Sequence, residues 1–457
     1  MAKRIPPVRT GDQITLTITG QSHTGDGVGK HEGFTVFVPL AIAGEQVVAR
    51  INRVKKTYAH AQLEKILVTS PHRVHASCPV FAQCGGCQLQ HIAYPVQLES
   101  KRRQVADSFA RIGGLGEGQV LPVLGMKEPW SYRNKAQVPF GGGKGRIKAG
   151  FYAAGSHEIV EFEHCLIQQP ENDAVIQQVK ALVQELGIVP YDEKKHRGCL
   201  RHIMVRTGFH TGEVMVVLIT NGPELPSQKK LVTGLRERVP GLASLIQNIQ
   251  PRRSNVILGQ ESRVLWGRPV IYDMIGHVRF AISSHSFFQV NPVQTEVLYE
   301  QVRQVAALTG KETIIDAYCG IGTIGLYLAK DAARVLGVES IPQAVEDARY
   351  NAELNGIHHA AFEVGSAEEV MPRWAKEGIC PDVIIVDPPR KGCAPELLNA
   401  VADMSPDRLI YVSCNPATLA RDVAALKERG YLYRHVQPVD MFPHTSHVET
   451  VVLLQRQ

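Results

Sequence analysis

Two short runs near the C-terminus carry side chains able to do covalent chemistry: Asp387-Pro388-Pro389-Arg390 and Ser413-Cys414-Asn415-Pro416. Each closes an apolar, β-branched stretch, residues 383–386 and 409–412, which predicts two parallel strands ending in an acid and a thiol. Open α/β sheets bind ligands outside the carboxyl ends of their strands, so both groups are expected at a site. A thiolate adds well to C6 of a pyrimidine, and that addition makes C5 carbanion-like toward a methyl group on a sulfonium donor. A base must then take the C5 proton before the thiol can leave. Glu449, just ahead of the expected final strand, is the best-placed carboxylate, with His444 and His447 as alternatives. By its type alone, Cys414 is equally compatible with a small buried hydrophobe.

A second constellation runs from Asp316 to Gly325, with Cys319-Gly320-Ile321-Gly322 at its centre. It follows a predicted strand, opens a predicted helix and contains a GxGxxG spacing. Glu339 ends the next strand, 23 residues after Asp316. Glycines let backbone approach a ligand closely, and an acid at the second strand tip can hold ribose hydroxyls. A nicotinamide nucleotide and S-adenosylmethionine both fit that much. Asp316 opens the loop where dinucleotide folds have an apolar strand end, and the Asp-Pro-Pro run suits a methyl-transfer site. The balance favours a methyltransferase over a dehydrogenase.

Cys78, Cys84 and Cys87 give C-x5-C-x2-C in a glycine-rich loop, and Cys165 is the best candidate for a fourth ligand, with Cys199 its rival. Four thiolates suit either zinc or a 4Fe-4S cluster, and spacing does not decide between them. The C-x3-C-x2-C of radical adenosylmethionine enzymes is absent, which favours a structural or RNA-shaping role. Cys319, Cys380 and Cys393 read as packing residues. Nine cysteines without a signal-peptide pattern argue against a disulfide framework.

These groups need elements to position them. From about Val264 strands and helices alternate, with strands expected at 313–316, 334–338, 383–386, 409–412 and 450–454, the pattern of a doubly wound sheet. Residues 8–66 read instead as short alternating strands: Ile14, Leu16 and Ile18, then Phe34, Val36 and Val38, with turns at Gly25-Asp26-Gly27 and Ala43-Gly44-Glu45. A five-stranded barrel of the OB type fits, with Arg50, Arg53, Lys55, Lys56 and Tyr58 as a basic edge. Residues 95–112 form an amphipathic helix with Val96, Leu98, Val105, Phe109 and Ile112 on its apolar side and Lys101-Arg102-Arg103 exposed. Gly141–Arg146 reads as a flexible basic hairpin.

Length and charge agree with this division. A chain of 457 residues allows roughly three domains. Residues 1–115 hold 14 Lys and Arg against 7 Asp and Glu, whereas the rest hold 36 against 37. A basic first quarter on a neutral body suggests a polyanion-binding module joined to a catalytic one. No apolar run reaches membrane-span length, and Met1–Pro7 lacks a signal core, so a soluble cytoplasmic protein is expected.

Taken together and in order, DPPR, SCNP, HxxHVE, Ser286-Phe287-Phe288-Gln289-Val290-Asn291 and the DxxCGxG loop resemble the RNA (uracil-5-)-methyltransferase family. The nearest likeness is to its bacterial 23S rRNA branch, which also has an N-terminal TRAM barrel and a cysteine cluster. The resemblance covers essentially the whole chain. It implies an α/β, Rossmann-like methyltransferase domain at 263–457, a TRAM barrel at 1–66 and a mixed α+β central domain at 67–262, with residues 93–120 packing on the catalytic domain. It further implies Cys414 as nucleophile, Glu449 as base, and S-adenosylmethionine contacts from Gln289, Tyr318, Glu339 and Asp387. Phe287 would sit against a flipped base. A 4Fe-4S cluster would be held by Cys78, Cys84, Cys87 and Cys165. Ser366, at the expected third strand tip, departs from the acid or amide that many adenosylmethionine enzymes place there. The tRNA branch typically lacks the barrel and the cysteines, so the expected substrate is 23S rRNA and the expected state a monomer. The alternatives are tRNA uridine, an adenine amino group, or an RNA-binding assembly factor with an idle site.

Overall fold

The computed structural model describes residues 6–116, 120–143 and 145–457. Met1–Ile5 of the N-terminal reading, 117–119 of the 93–120 segment and Lys144 of the glycine-rich hairpin lie outside the described residues.

Alternation in the first 68 residues closes a barrel. Its strands are β1 (Gln13–Gln21), β2 (Gly27–His31), β3 (Phe34–Val38), β4 (Gln46–Val54) and β5 (Tyr58–Val68), ordered β1-β2-β3-β5-β4, with β4 returning to β1. Every second residue turns inward, so Ile14, Leu16, Ile18, Phe34, Val36 and Val38 share one core. Gly25 and Gly44 take φ of +88° and +90° at the expected turns, where a side chain would be strained. The basic edge gains two rings invisible to local pattern: Tyr58 meets Phe37 and His60 edge-on, at 5.5 and 5.4 Å. Parallel pairing of β3 with β5 brings them together.

The helix Tyr94–Arg111 corrects the amphipathic reading in one respect. Gln97, Lys101, Val105 and Phe109, spaced by four, form its inward face, so Lys101 is buried rather than exposed. Its ammonium sits 2.5 Å from Asp440, which compensates the charge. Ile112 falls beyond the helix and is exposed.

The middle of the chain forms a seven-stranded sheet from β6 (Lys135–Gly143), β7 (Arg146–Tyr152), β8 (Ile159–Glu161), β9 (Leu200–Thr207), β10 (Val214–Thr220), β11 (Leu242–Ile249) and β12 (Glu261–Gly267). Its order is β12-β11-β10-β9-β6-β7-β8. Helices Pro170–Glu185 and Gln228–Arg238 cover one face. β12 crosses the expected boundary at 262/263, because its pairing with β11 keeps it in the central sheet to Gly267. The hairpin β13 (Val270–Ile275) and β14 (Val278–Ser283) follows, and its apolar side joins the other face of this sheet to the catalytic core.

The C-terminal sheet comprises β15 (Thr313–Ala317), β16 (Arg334–Glu339), β17 (Ala360–Val364), β18 (Val383–Val386), β19 (Arg408–Ser413), β20 (Tyr431–Val439) and β21 (Glu449–Arg456). The order is β17-β16-β15-β18-β19-β21-β20, with β21 antiparallel to both neighbours. Helices cover both faces, which is why β18 reads as an unbroken apolar run. Strand order reverses between β15 and β18, so the binding crevice opens there.

Candidate active site

The loop after β15 lies at this crevice. Tyr318, Gly320 and Gly322 all have positive φ (+65°, +56° and +81°), and Gly322 caps the helix Thr323–Leu328. Asp316 does not open the loop as expected. It lies buried within β15, where Oδ2 accepts the Gly325 N–H at 2.8 Å. Burial, with Asp387 and Glu339 adding to it, pushes its carboxyl up to about 7. Asp316 is thus a brace for the turn.

Glu339, at the tip of β16, is half-buried and accepts N–H groups from Gly320 (3.3 Å) and Ile341 (2.9 Å). Ser366 stands at the N-cap of the helix after β17 without a capping bond. Glu368, two residues on, instead accepts the Tyr318 hydroxyl at 3.0 Å, an acid that the strand-tip reading missed. Gln289 is buried on the adjoining loop, whose backbone is held by Asn134.

The thiol and its candidate base meet through strand register. Ser413 pairs with Thr450, so Cys414 leaves β19 beside Glu449, where β21 begins. Asp387 leaves the neighbouring strand, β18. Burial first, then Glu449 and Asp387, push the Cys414 thiol up to about 11, against the opposing effect of Arg390. Burial and Asp387 hold the Glu449 carboxyl well above the usual range, again opposed by Arg390. Burial alone pushes Asp387 up to about 7. A half-buried thiol and two buried carboxyls therefore stand close together, and Arg390 is a cation that acts on the thiol and on Glu449.

Arg390 closes the Asp-Pro-Pro-Arg run. Its carbonyl is tied to the helix Pro416–Glu428 by Asn415 Nδ2 (2.9 Å) and Thr418 Oγ1 (3.3 Å). Asp422, on the same helix, accepts the Cys393 N–H at 2.8 Å and the Tyr411 hydroxyl at 2.7 Å. Tyr299 was also missed. It is buried within the field of Asp387, Asp316 and Glu449 and donates to Thr323 Oγ1 at 2.7 Å. Tyr299 lies far along the chain from the motifs it touches, and local spacing carries no sign of it.

The histidine alternatives separate. His444 stacks on Trp130 at 3.8 Å, and its carbonyl accepts the N–H groups of Gln88 and Leu89. Burial lowers its pKa to about 4. It stitches the cysteine loop to the catalytic domain. His447 is exposed, and its own N–H rests on Thr445 Oγ1 at 3.3 Å. Phe287 is 67% exposed at the tip of a loop held by Arg206, which donates to the Ser286 carbonyl at 2.9 Å, and by Asp347, which accepts the Ser286 hydroxyl at 3.0 Å.

Cys78, Cys84, Cys87 and Cys165 line one cavity of about 280 Å³, together with Arg133 and Lys135. Cys199 is not among its walls, and its thiol donates to the Glu224 carbonyl instead. Among the described residues, no three His, Cys, Asp or Glu side chains converge closely enough to hold a single ion. Burial pushes Cys87 up to about 11 and Cys165 up to about 12. Gly86 packs so that a Cβ would lie 3.4 Å from Cys84 Sγ, which leaves the sulfur room. Of the three cysteines read as packing residues, Cys319 and Cys393 are buried, whereas Cys380 is exposed after its helix ends.

Among the described residues, no helix is long and apolar enough to cross a membrane. Residues 274–457 match the family model "tRNA (Uracil-5-)-methyltransferase", and residues 7–63 match the TRAM domain. An uncharacterized RNA methyltransferase of Halalkalibacterium halodurans is 53% identical, covering 100% of this chain and 99% of the relative. One from Bacillus cereus is 52% identical, covering 99% of each. The crystal structure of Pyrococcus abyssi tRNA (uracil-54, C5)-methyltransferase in complex with S-adenosyl-L-homocysteine is similar at 31% identity and a TM-score of 0.78. That match covers 96% of this chain and 100% of the other. With its barrel, its switch-point crevice and these relatives, the chain belongs to the RNA (uracil-5-)-methyltransferase family and methylates C5 of uracil in RNA with S-adenosylmethionine.

Proposed function

We propose that the substrate is a uridine in 23S rRNA and that Cys414 and Glu449 carry the chemistry. The observation behind the mechanism is the register that sets the Cys414 thiol beside the Glu449 carboxyl. The Cys414 thiolate adds to C6, breaking the C5–C6 π bond and leaving C5 nucleophilic. Bound S-adenosylmethionine supplies the methyl group that C5 takes. Glu449 then accepts the C5 proton, and the electron pair left behind re-forms the double bond as the Cys414–C6 bond breaks. A carboxylate whose proton affinity is raised by burial is well suited to that last step.

Gln289, Tyr318, Glu339 and Asp387 hold the donor in this reading, and Phe287 stacks on the extruded base. Cys78, Cys84, Cys87 and Cys165 hold a 4Fe-4S cluster. All four thiols line one cavity, the ligand set that a 4Fe-4S cluster takes.

The rRNA assignment rests on the joint presence of the barrel and the C-x5-C-x2-C run. A second reading, tRNA uridine, is favoured by a specific finding. The Pyrococcus tRNA enzyme aligns over 96% of this chain, so the N-terminal part does not by itself separate rRNA from tRNA enzymes. Mass-spectrometric mapping of 5-methyluridine in both RNAs, with and without the gene, decides between them. Loss at one or two 23S positions is expected; loss in tRNA alone would overturn the rRNA assignment while keeping the chemistry.

A further inference from the structure

The cysteine cavity has cations in its wall and no carboxylate to answer them. Arg133 and Lys135 both line it beside the four thiols. Lys135 opens β6 and pairs in register with Arg206 on β9, so a third cation stands next to it. Arg206 is 2% exposed, its Nε has no hydrogen-bond partner, and its bond to the Ser286 carbonyl brings no negative charge. Among the described residues none of the three makes an ion pair. Asp173, a buried carboxylate bound to the same loop, is turned to the Cys165 N–H at 2.7 Å. The other polar side chains of the wall, His164, Gln90, Gln137 and Gln168, carry no anion.

Arg206 is buried and Arg133 and Lys135 are half-buried, and cations drawn out of water without a counter-ion are costly, so the group implies an anion that the protein alone does not provide. RNA phosphate fits poorly, because Arg206 is closed off from solvent. Four thiolates around an iron–sulfur core form a net-negative assembly inside the cavity that Arg133 and Lys135 face.

We infer that Arg133 and Lys135, backed by Arg206, are the built-in counter-charge of the cluster and raise its reduction potential. This rests on the 4Fe-4S reading above. A fixed positive charge beside the cluster favours the state carrying one more electron. Arg206 also extends the arrangement toward the Phe287 loop through Ser286, so the cluster and the base-binding loop share one electrostatic support.

The test is an anaerobic redox titration of the iron–sulfur absorbance in the purified full chain, comparing wild type, Lys135→Met and Lys135→Arg, with iron counted per protein. Lys135→Met is expected to shift the oxidised-to-reduced ratio at fixed potential about tenfold toward oxidised, a shift of 59 mV for one electron. Lys135→Arg should restore the wild-type value. If Lys135→Met cannot keep its iron and Lys135→Arg can, the counter-charge role is equally supported. A loaded Lys135→Met with unchanged potential overturns the inference alone, and weaker RNA binding in that variant would assign the lysine to RNA. Wild type that holds zinc or no metal overturns the cluster reading and this inference with it.

Discussion

A thiol pushed up to about 11 is almost wholly protonated at neutral pH, so the reactivity of Cys414 depends on what offsets its neighbours. Glu449 and Asp387 disfavour the thiolate, and Arg390 favours it. Below its pKa the thiolate fraction rises about tenfold per pH unit, and alkylation by a neutral reagent should follow it between pH 7 and 9. Removing a cation raises a thiol pKa, so Arg390→Ala should label more slowly at every pH. Peptide-resolved iodoacetamide kinetics would read this, and an equal or faster rate in the variant would sink the role given to Arg390. Cys414→Ala should abolish turnover while RNA still binds. Glu449→Gln keeps the shape but cannot take the C5 proton, so it should accumulate a protein–RNA adduct that survives denaturing electrophoresis; clean turnover would remove Glu449 as the base.

At the scale of elements, the helix Pro416–Glu428 does two jobs. Its first turn follows Cys414, and with its N-cap Asn415 it clamps the loop of residues 387–393 through Asn415, Thr418 and Asp422. Asp422→Ala would strand the buried Tyr411 hydroxyl and the Cys393 N–H. At about 1–3 kcal/mol for each buried group left without a partner, a total loss of about 2–6 kcal/mol is expected in urea unfolding. Because the Cys393 end of the loop that carries Arg390 would lose its tie, kcat should fall while adenosylmethionine affinity holds. A stability change under about 0.5 kcal/mol, the size of an ordinary surface substitution, would mean that the loop is held by other contacts. The strands bearing Asp387 and Cys414 were legible because they are short, apolar and β-branched. β17, where Phe362 is the one buried residue, was expected only as a strand tip at Ser366 with no range, and the edge strand β20 was not anticipated as an element.

Across the whole molecule, the N-terminal segments are sewn to the catalytic sheet by buried polar contacts. Lys101 Nζ meets Asp440 Oδ1 at 2.5 Å, and the Tyr94 hydroxyl donates to Asp440 Oδ2 at 2.8 Å. Both charged partners are essentially inaccessible. Lys101→Met leaves a lone buried carboxylate and should cost about 3–5 kcal/mol, whereas Lys101→Met with Asp440→Leu should cost less than the single change. Denaturant titration of both variants checks this, and a double variant worse than the single one would refute it. The barrel makes a separable contribution. If Lys55 and Lys56 contact RNA phosphates, changing both to Gln should lower the slope of log affinity against log salt by about 0.7 per contact on single strands. An unchanged slope would place the RNA on another face.

The sequence by itself determined the classes of chemistry and the sheet that carries them. Motif residues sit at strand ends, and the periods of two and 3.6 that announce those strands are local properties of the chain. The register that joins Cys414 to Glu449 lies in the folded sheet, since an antiparallel partner arriving 36 residues later has no local signature. So do the burial of Lys101 and the recruitment of Arg390, Asp422 and Tyr299. Each depends on groups distant in sequence sharing one dry space, where burial and neighbouring charge, rather than residue type, set what a side chain does.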